Sequence, residues 1–376
     1  MPFGIYVHVP FCASRCGYCD FNTYTATELG NAVTRDTFHR TLIDEIRYAR
    51  SVAGDREVNT VFFGGGTPTL LEADALTEIL GAIRDEFGLT IDAEVTTEAN
   101  PDSVDAAKLA ALREGGFTRI SLGMQSSSST VLKVLERTHT PGSSSAMAKA
   151  ARAVGFEHVN LDLIYGTPGE SDDDLRRSLD EVLDAGVDHV SAYSLIVEQG
   201  TPLARKVARG EVAEPDDDIA AGRYELVDSV LGDAGFDWYE VSNWAKTGGE
   251  CRHNLAYWRG TDWWGIGPGA HSHIAGERWW NHKHPATYAD ALGQGGSPAA
   301  DREVLTAEQV QTEAVMLGVR LAEGMPVTAI PFESRTAAAA LVGRGLLDGE
   351  ALLAGRVQLT DSGRLLADGV VRELLG

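Results

Sequence analysis

Short runs rich in Val, Ile and aromatic side chains recur at Ile5–Pro10, Thr60–Phe63, Glu94–Glu98, Arg119–Met124, Val159–Tyr165 and Val190–Ile196. Runs of that length and composition predict six strands. Between them the apolar period changes to that of a helix: Leu76, Ile79, Leu80 and Ile83 share one face, and Leu175, Leu179, Val182 and Leu183 another. A glycine and an apolar residue follow several helical stretches, at Gly116-Phe117, Gly155-Phe156, Gly186-Val187 and Gly235-Phe236. Glycine there suits the left-handed position that ends a helix. The resulting βαβα order implies a parallel sheet with right-handed crossovers. The repeated phrase favours similar units wound into a partial barrel, with a doubly wound open sheet as the alternative.

The texture then changes. All seven tryptophans lie between Trp238 and Trp280, and five of the ten histidines lie between His253 and His284. The Gly/Ser/Pro stretch 293–298 separates this region from a tail with a helical face (Val310, Val315, Leu317, Leu321) and a Gly345-Leu346-Leu347 … Val357-Gln358-Leu359 pattern like that of a small winged-helix unit. The expected organisation is α/β: a six-unit βα barrel over 1–235, a Trp/His-rich region over 236–295, and a C-terminal helical, winged-helix-like domain over 296–376. The full length of 376 residues accommodates such a division.

Charge and cysteine usage narrow the functional classes. With 32 Lys+Arg against 55 Asp+Glu, a formal charge of −23 disfavours non-specific binding to nucleic acid, and the tail lacks the basic clustering of a DNA-binding wing. Residues 1–10 are too short and uncharged for a secretory leader, and no apolar run approaches a membrane span, so a cytoplasmic location with at most transient peripheral contact to membranes is expected. Four cysteines are too few for a disulfide scaffold, yet Cys12, Cys16 and Cys19 fall in one CxxxCxxC motif directly after the first strand. Three soft thiolates at that spacing select zinc, copper(I) or an iron-sulfur cluster. Structural zinc wants a fourth ligand, for which His8 is the near candidate, whereas three thiolates on a four-iron cluster leave one iron open.

A CxxxCxxC after the first strand of a βα series resembles the radical S-adenosylmethionine (SAM) superfamily. Tyr6-Val-His-Val-Pro-Phe-Cys12, Phe63-Gly-Gly-Gly-Thr-Pro68, Thr97-Glu-Ala-Asn-Pro101, Ser121-Leu-Gly-Met-Gln125, Leu161-Asp-Leu-Ile-Tyr-Gly-Thr-Pro-Gly169 and Gly265-Ile-Gly-Pro-Gly-Ala-His-Ser272 look like its oxygen-independent coproporphyrinogen III oxidase branch, over nearly the whole chain. The resemblance implies a [4Fe-4S] cluster on Cys12, Cys16 and Cys19, with SAM against Tyr6, Tyr18, Gly65, Gly66, Thr67, Glu98, Gln125, Arg137 and Asp162. The chemistry agrees with those residue types. Glycines admit a close ligand, Glu98 and Asp162 suit ribose hydroxyls, and the Arg137 guanidinium suits a carboxylate. Gly265-Ile-Gly-Pro-Gly-Ala270 reads as a tight turn rather than a dinucleotide fingerprint. The acidic runs 170–174 and 214–218 read as loops and helix starts.

Within this branch the sequence is more similar to a heme-chaperone type than to the oxidase. Phe21 stands where the oxidase has a further cysteine, no oxidase-like extension precedes the first strand, and His253-Asn254-Leu-Ala-Tyr257-Trp258 matches an HNxxYW motif. Heme is then the cargo, His253 the first candidate to contact it and Cys251 the second, because imidazole is a common axial ligand and aromatic side chains can wall a porphyrin. Acceptor hemoproteins, an electron donor and a homodimeric partner follow from the same resemblance. The oxidase, a porphyrin-biosynthetic enzyme, is the alternative.

Overall fold

The computed structural model describes residues 2–29 and 33–376. Six parallel strands form its centre: β1 (Phe3–Val9), β2 (Val58–Gly65), β3 (Leu89–Ala99), β4 (Arg119–Gln125), β5 (His158–Tyr165) and β6 (His189–Ser194). They lie side by side in chain order, without the reversal of order that a doubly wound sheet needs. All six expected strands are present, and the winding is that of a partial barrel.

Alternation along each strand divides the barrel into two surfaces. Ile5, Val7 and Val9 of β1 and Val61 and Phe63 of β2 are fully buried and belong to one large apolar core. Leu42 and Ile46 of the helix Arg35–Ala53 join that core, as do Leu76, Ile79, Leu80 and Ile83 of the helix Ala73–Phe87. The opposite faces point into the barrel and carry Tyr6, His8, Glu94, Glu98, Arg119 and Asp162. The glycines expected to stop helices adopt positive φ, for example 70° at Gly186 and 81° at Gly235. The acidic runs also serve helix starts: Ser171 and Asp174 form a capping box, and Asp216 caps the helix Asp217–Asp233.

The Trp/His-rich region is where the strand pattern under-counted. β7 (Asp237–Glu240) and β8 (Asn243–Ala245) extend the sheet beyond β6. β9 (Asp262–Ile266) runs parallel to β1, and β10 (His271–Ile274), β11 (Glu277–Asn281) and β12 (Ala299–Val304) continue outward as an antiparallel meander. The twelve-stranded sheet therefore runs to Val304, past the expected boundary at residue 295. Beyond it a second apolar core unites Val315, Ile330, Leu341, Leu346, Val357 and Leu374, with a two-stranded pairing of Met325–Pro326 and Arg356–Val357. Of the expected tail face, Val315 and Leu321 are buried but Val310 is exposed.

Candidate functional site

The three clustered cysteines leave the barrel at the carboxyl end of β1, on a loop held at several points. Cys12 N–H donates to Tyr24 O (3.0 Å), Tyr24 N–H donates to Pro10 O (2.7 Å), and Gly17 N–H donates to Leu135 O (3.2 Å). All three thiols are partly exposed. Burial pushes the Cys12 thiol up, and burial also takes Cys19 to about 11 against a hydrogen bond from the Phe21 backbone. Among the described residues no three His, Cys, Asp or Glu side chains converge on a single ion.

Gly64–Thr67 is the seat of this loop. Gly66 N–H donates to Val9 O (2.8 Å) and Thr67 N–H to Phe11 O (2.7 Å). A Cβ on Gly66 would lie 2.3 Å from Phe11 O and 3.1 Å from Cys12 Sγ, and one on Gly65, at φ 109°, would lie 2.6 Å from the His8 ring. Only glycine tolerates that approach. Arg137 bridges the loop to the next strands. Its Nη1 donates to Cys16 Sγ (3.5 Å), its Nη2 donates to Asn100 Oδ1 (2.7 Å) and Gly123 O (2.9 Å), and its Nε is buried without a partner. Gln125, with φ 64°, reaches toward the same point: a Cβ on Gly123 would meet both Gln125 Nε2 and Arg137 Nη2. Asn100 and Thr67 share a hydrogen bond (3.0 Å), and together with Ser14, Cys16 and Arg137 they line a cleft. Asn100 was not singled out from sequence, although its place just after a strand within Thr97–Pro101 was the available signal.

Deeper in the barrel, Glu98 Oε2 accepts from Gly65 N–H (3.2 Å) and Tyr6 OH donates to His8 Nδ1 (3.0 Å), whose Nε2 donates to Asn22 O (2.8 Å). Asp162 accepts from Ser121 Oγ (3.0 Å) and Asn160 Nδ2 (2.6 Å). Burial, then the nearby Asp162 charge, lifts Glu98 to about 8, and burial raises Asp162 as well. Two acids held in one enclosed space are paired with few cations and fit a polar, cationic or hydroxyl-bearing ligand. Tyr18 lies beside Cys16 and Arg137, with its hydroxyl pushed up by burial and by the Cys16 charge. The structure thus places Gly65, Gly66, Thr67, Gln125, Arg137 and Tyr18 beside the cysteine loop, with Tyr6, Glu98 and Asp162 deeper in the barrel.

The Glu98 shift has a measurable sign. Folding raises its pKa from 4.5 toward about 8, so ionising it in the apoprotein is unfavourable. That cost is absent below the unfolded value, grows between the two values and is complete above the folded one. Glu98→Gln should therefore raise the apoprotein Tm by several degrees at about pH 8.5 and leave it nearly unchanged at about pH 4.5. Equal shifts at both pH values would contradict the assignment.

Cys251 and His253, the expected heme contacts, sit at the opposite end of the barrel from the cysteine loop. The His253 ring lies against Gly4 and Thr60, at the amino ends of β1 and β2. Its Nδ1 shares a hydrogen bond with Thr60 Oγ1 (2.8 Å), its Nε2 shares one with Tyr257 OH (2.9 Å), Phe62 stacks on it, and it is 1% exposed. Burial lowers its pKa to about 3. Both ring nitrogens are thus engaged, each by one hydroxyl. Cys251 is equally enclosed: its Sγ donates to Glu94 Oε1 (3.6 Å), and burial followed by the Glu94 charge holds it as a thiol up to about 12. Glu94 also accepts from His253 N–H (3.0 Å) and Arg252 N–H (3.1 Å), and it faces Arg119 at 3.7 Å. HNxxYW therefore opens the helix Arg252–Trp258, which plugs the barrel floor.

Gly265 and Ile266 end β9, so the expected tight turn is confined to Gly267–Ala270, and it also buttresses the cysteine loop. A Cβ on Gly267 would strike His8 O at 2.4 Å, and Gly269 would strike Asn22. Gly267 N–H donates to Glu45 Oε2 (2.6 Å), and Tyr288 OH and Asn281 Nδ2 also donate to that buried carboxylate. Glu45, an acid on the buried face of a helix, gave no sequence signal, because its partners lie more than two hundred residues away.

Comparison with known proteins agrees with this geometry. The model of the radical SAM superfamily matches residues 6–182. The "Heme chaperone HemW" of Mycobacterium tuberculosis (strain ATCC 25618 / H37Rv) is 56% identical over 375 residues, covering 100% of this chain and 95% of that protein. The Bacillus subtilis protein of the same name is 35% identical over 321 residues, covering 85% of this chain and 84% of its own. Among solved structures, the Escherichia coli coproporphyrinogen III oxidase HemN, a radical SAM enzyme, superposes with a TM-score of 0.85 over 99% of this chain and 90% of that one, at 23% identity. That likeness establishes the fold.

Proposed function

Because this chain belongs to the radical SAM superfamily and, within it, to the HemW family, we propose that it is a heme chaperone, which binds heme and hands it to acceptor hemoproteins. The observation that carries this reading is the 56% identity that runs the full length of the chain to a protein of that name. The oxidase has weaker support, since HemN shares the fold at 23% identity. Family membership brings a [4Fe-4S] cluster and SAM as cofactors.

The residues on the loop fit both. Cys12, Cys16 and Cys19 are the proposed cluster ligands: three accessible thiols on a braced loop, with the Arg137 guanidinium donating to Cys16 Sγ. When bound, a cluster held by three thiolates supplies one-electron reduction to a SAM molecule on its open iron. In this reading Arg137 offers its unpaired Nε–H to a carboxylate. Glu98 and Asp162 accept from ribose hydroxyls, Tyr6 and Tyr18 wall the site, Gln125 donates from its left-handed turn, and the Gly65–Thr67 backbone lets the ligand approach closely. The chain's contribution is to position these groups and exclude water.

We assign the C-terminal unit to residues after Val304, packed on its own core, and give it an accessory role. Acceptor hemoproteins, an electron donor and a second copy of the chain are the proposed partners, in a reducing cytoplasm. No helix among the described residues is long and apolar enough to cross a membrane. The test is transfer: cluster-loaded protein carrying one hemin, mixed with a heme-depleted cytochrome, should lose its Soret band as the cytochrome spectrum appears. Transfer no faster than from free hemin would refute a chaperone role.

A further inference from the structure

A buried polar ladder crosses the inside of the barrel beneath the site. Register puts Asn160 of β5 beside both Ser121 of β4 and His189 of β6, and Asp162 beside Ser191. Residues in register on neighbouring strands project from one face of the sheet, here the inner one. Asn160 Nδ2 donates to Asp162 Oδ1 (2.6 Å) and Ser121 Oγ (2.7 Å), and Ser191 Oγ lies 3.0 Å from it. Charge sets this orientation of the amide, since the reversed one would bring its oxygen against a carboxylate oxygen. Asn160 Oδ1 therefore faces His189, whose Nδ1 carries the ring proton and donates to it (2.7 Å). Burial, then the charge of Arg119, holds the His189 imidazole well below its usual range, so the ring is neutral and its Nε2 is an acceptor. Tyr239 OH donates to that nitrogen (2.7 Å), and Cys251 N–H donates to the Tyr239 oxygen (3.3 Å). Every hydrogen bond in the chain points one way, from the barrel floor to Asp162.

We propose that His189 is a positioning residue for the SAM site, acting through Asn160 to hold the Asp162 carboxylate as an aligned acceptor for ribose hydroxyls. The inference rests on the proposed SAM contacts and adds to them a group that touches no ligand. Asp162 needs such support. It is buried and shares its enclosure with the Glu98 carboxyl, and Arg137 is the cation that acts on it. Burial raises its pKa, and the hydrogen bonds from Ser121, Ser191 and Asn160 oppose the rise. A protonated Asp162 would present a donor where an acceptor is wanted. Hydrogen bonds in a chain polarise one another, so an Asn160 amide that accepts from His189 donates more strongly to the carboxylate.

Placement separates this role from ligand contact. Asn160 precedes Asp162 by two residues along β5, so Asn160 and His189 lie one rung farther from the carboxyl ends of the strands, where the thiols are. The other charged or titratable groups acting on Asp162 are Glu98 of β3, Arg137 after β4 and Tyr193 of β6, and those acting on His189 are Arg119 of β4 and His158 of β5. All of them stay in place when His189 is replaced. A difference in pH dependence between such a variant and wild type therefore reports the ladder, even though Glu98 titrates in both.

Equilibrium dialysis of radiolabelled SAM against the cluster-loaded full-length protein, from about pH 6 to about pH 8.5, tests the role without turnover. His189→Phe should weaken SAM binding about tenfold at the acid end and less than about threefold at the alkaline end, an upward shift of about one pH unit in the acid limb. His189→Gln, whose amide can donate to Asn160 and accept from Tyr239, should restore the wild-type profile. Tyr239→Phe leaves His189 in place without its own donor; it should shift the profile the same way and by less, and it carries the test if His189→Phe does not fold. Iron and sulfide content should be unchanged in all three. A His189→Phe profile that matches wild type, or a loss that is equal at every pH and persists in His189→Gln, would overturn the positioning role and leave the SAM site standing. A wild-type protein that binds no SAM would overturn both.

Discussion

Cys12→Ser, Cys16→Ser and Cys19→Ser are each expected to abolish the cluster, taking iron and sulfide from about four of each per chain to near zero after anaerobic reconstitution. The same substitution at Cys251 should leave both counts unchanged. The contrast follows from placement. The first three thiols are partly exposed on one loop beside Gly66 and Arg137, while Cys251 is 2% exposed, bonded to Glu94 and held as a thiol on the barrel floor. Because the loop is anchored by backbone hydrogen bonds that a serine preserves, apoprotein Tm should change little in the three variants. Retention of iron in Cys16→Ser, or its loss in Cys251→Ser, would mean that the wrong thiols have been assigned.

The largest effect on stability is expected from Glu94→Ala. Glu94 and Arg119 are both almost fully buried, and the carboxylate also receives two backbone N–H groups and the Cys251 thiol at the start of the plugging helix. Removing it strands the Arg119 guanidinium, which keeps a hydrogen bond to Gly249 O (2.8 Å) but loses its counter-charge. Breaking a buried pair in this way typically costs about 3–5 kcal/mol, which for a chain of this size corresponds to roughly 5 °C in Tm. Glu94→Gln keeps an acceptor for the helix start and should cost less. Calorimetry that finds Glu94→Ala within about 2 °C of wild type would refute the plug as a structural keystone.

The sequence and the structure agree where physical signals are local. Strands β1 to β6 are legible because a buried parallel strand reads as a short run of Val, Ile and Phe, as in Val61–Phe63. The cysteine loop is legible because its three donors are adjacent in the chain. The outer meander is not: His271-Ser-His-Ile alternates against the usual pattern because its histidines line an open face, and Ala299–Val304 is a polar edge strand. His253 illustrates the deeper limit. A histidine amid tryptophans has the composition of a heme contact, and only tertiary structure shows that Thr60, 193 residues away, and Tyr257 already engage both nitrogens. Arg119 and Glu45 are likewise invisible as buried ions, since each is compensated by groups from distant segments.

The central claim is that this radical SAM protein carries heme rather than decarboxylating a porphyrinogen. Its most direct test is one anaerobic experiment in which cluster-loaded protein with SAM and a low-potential reductant is given either hemin or coproporphyrinogen III. The expected result is a stoichiometric hemin complex in the first vessel and no protoporphyrinogen or carbon dioxide in the second. Catalytic release of carbon dioxide from coproporphyrinogen III, with no stable hemin complex, would contradict it.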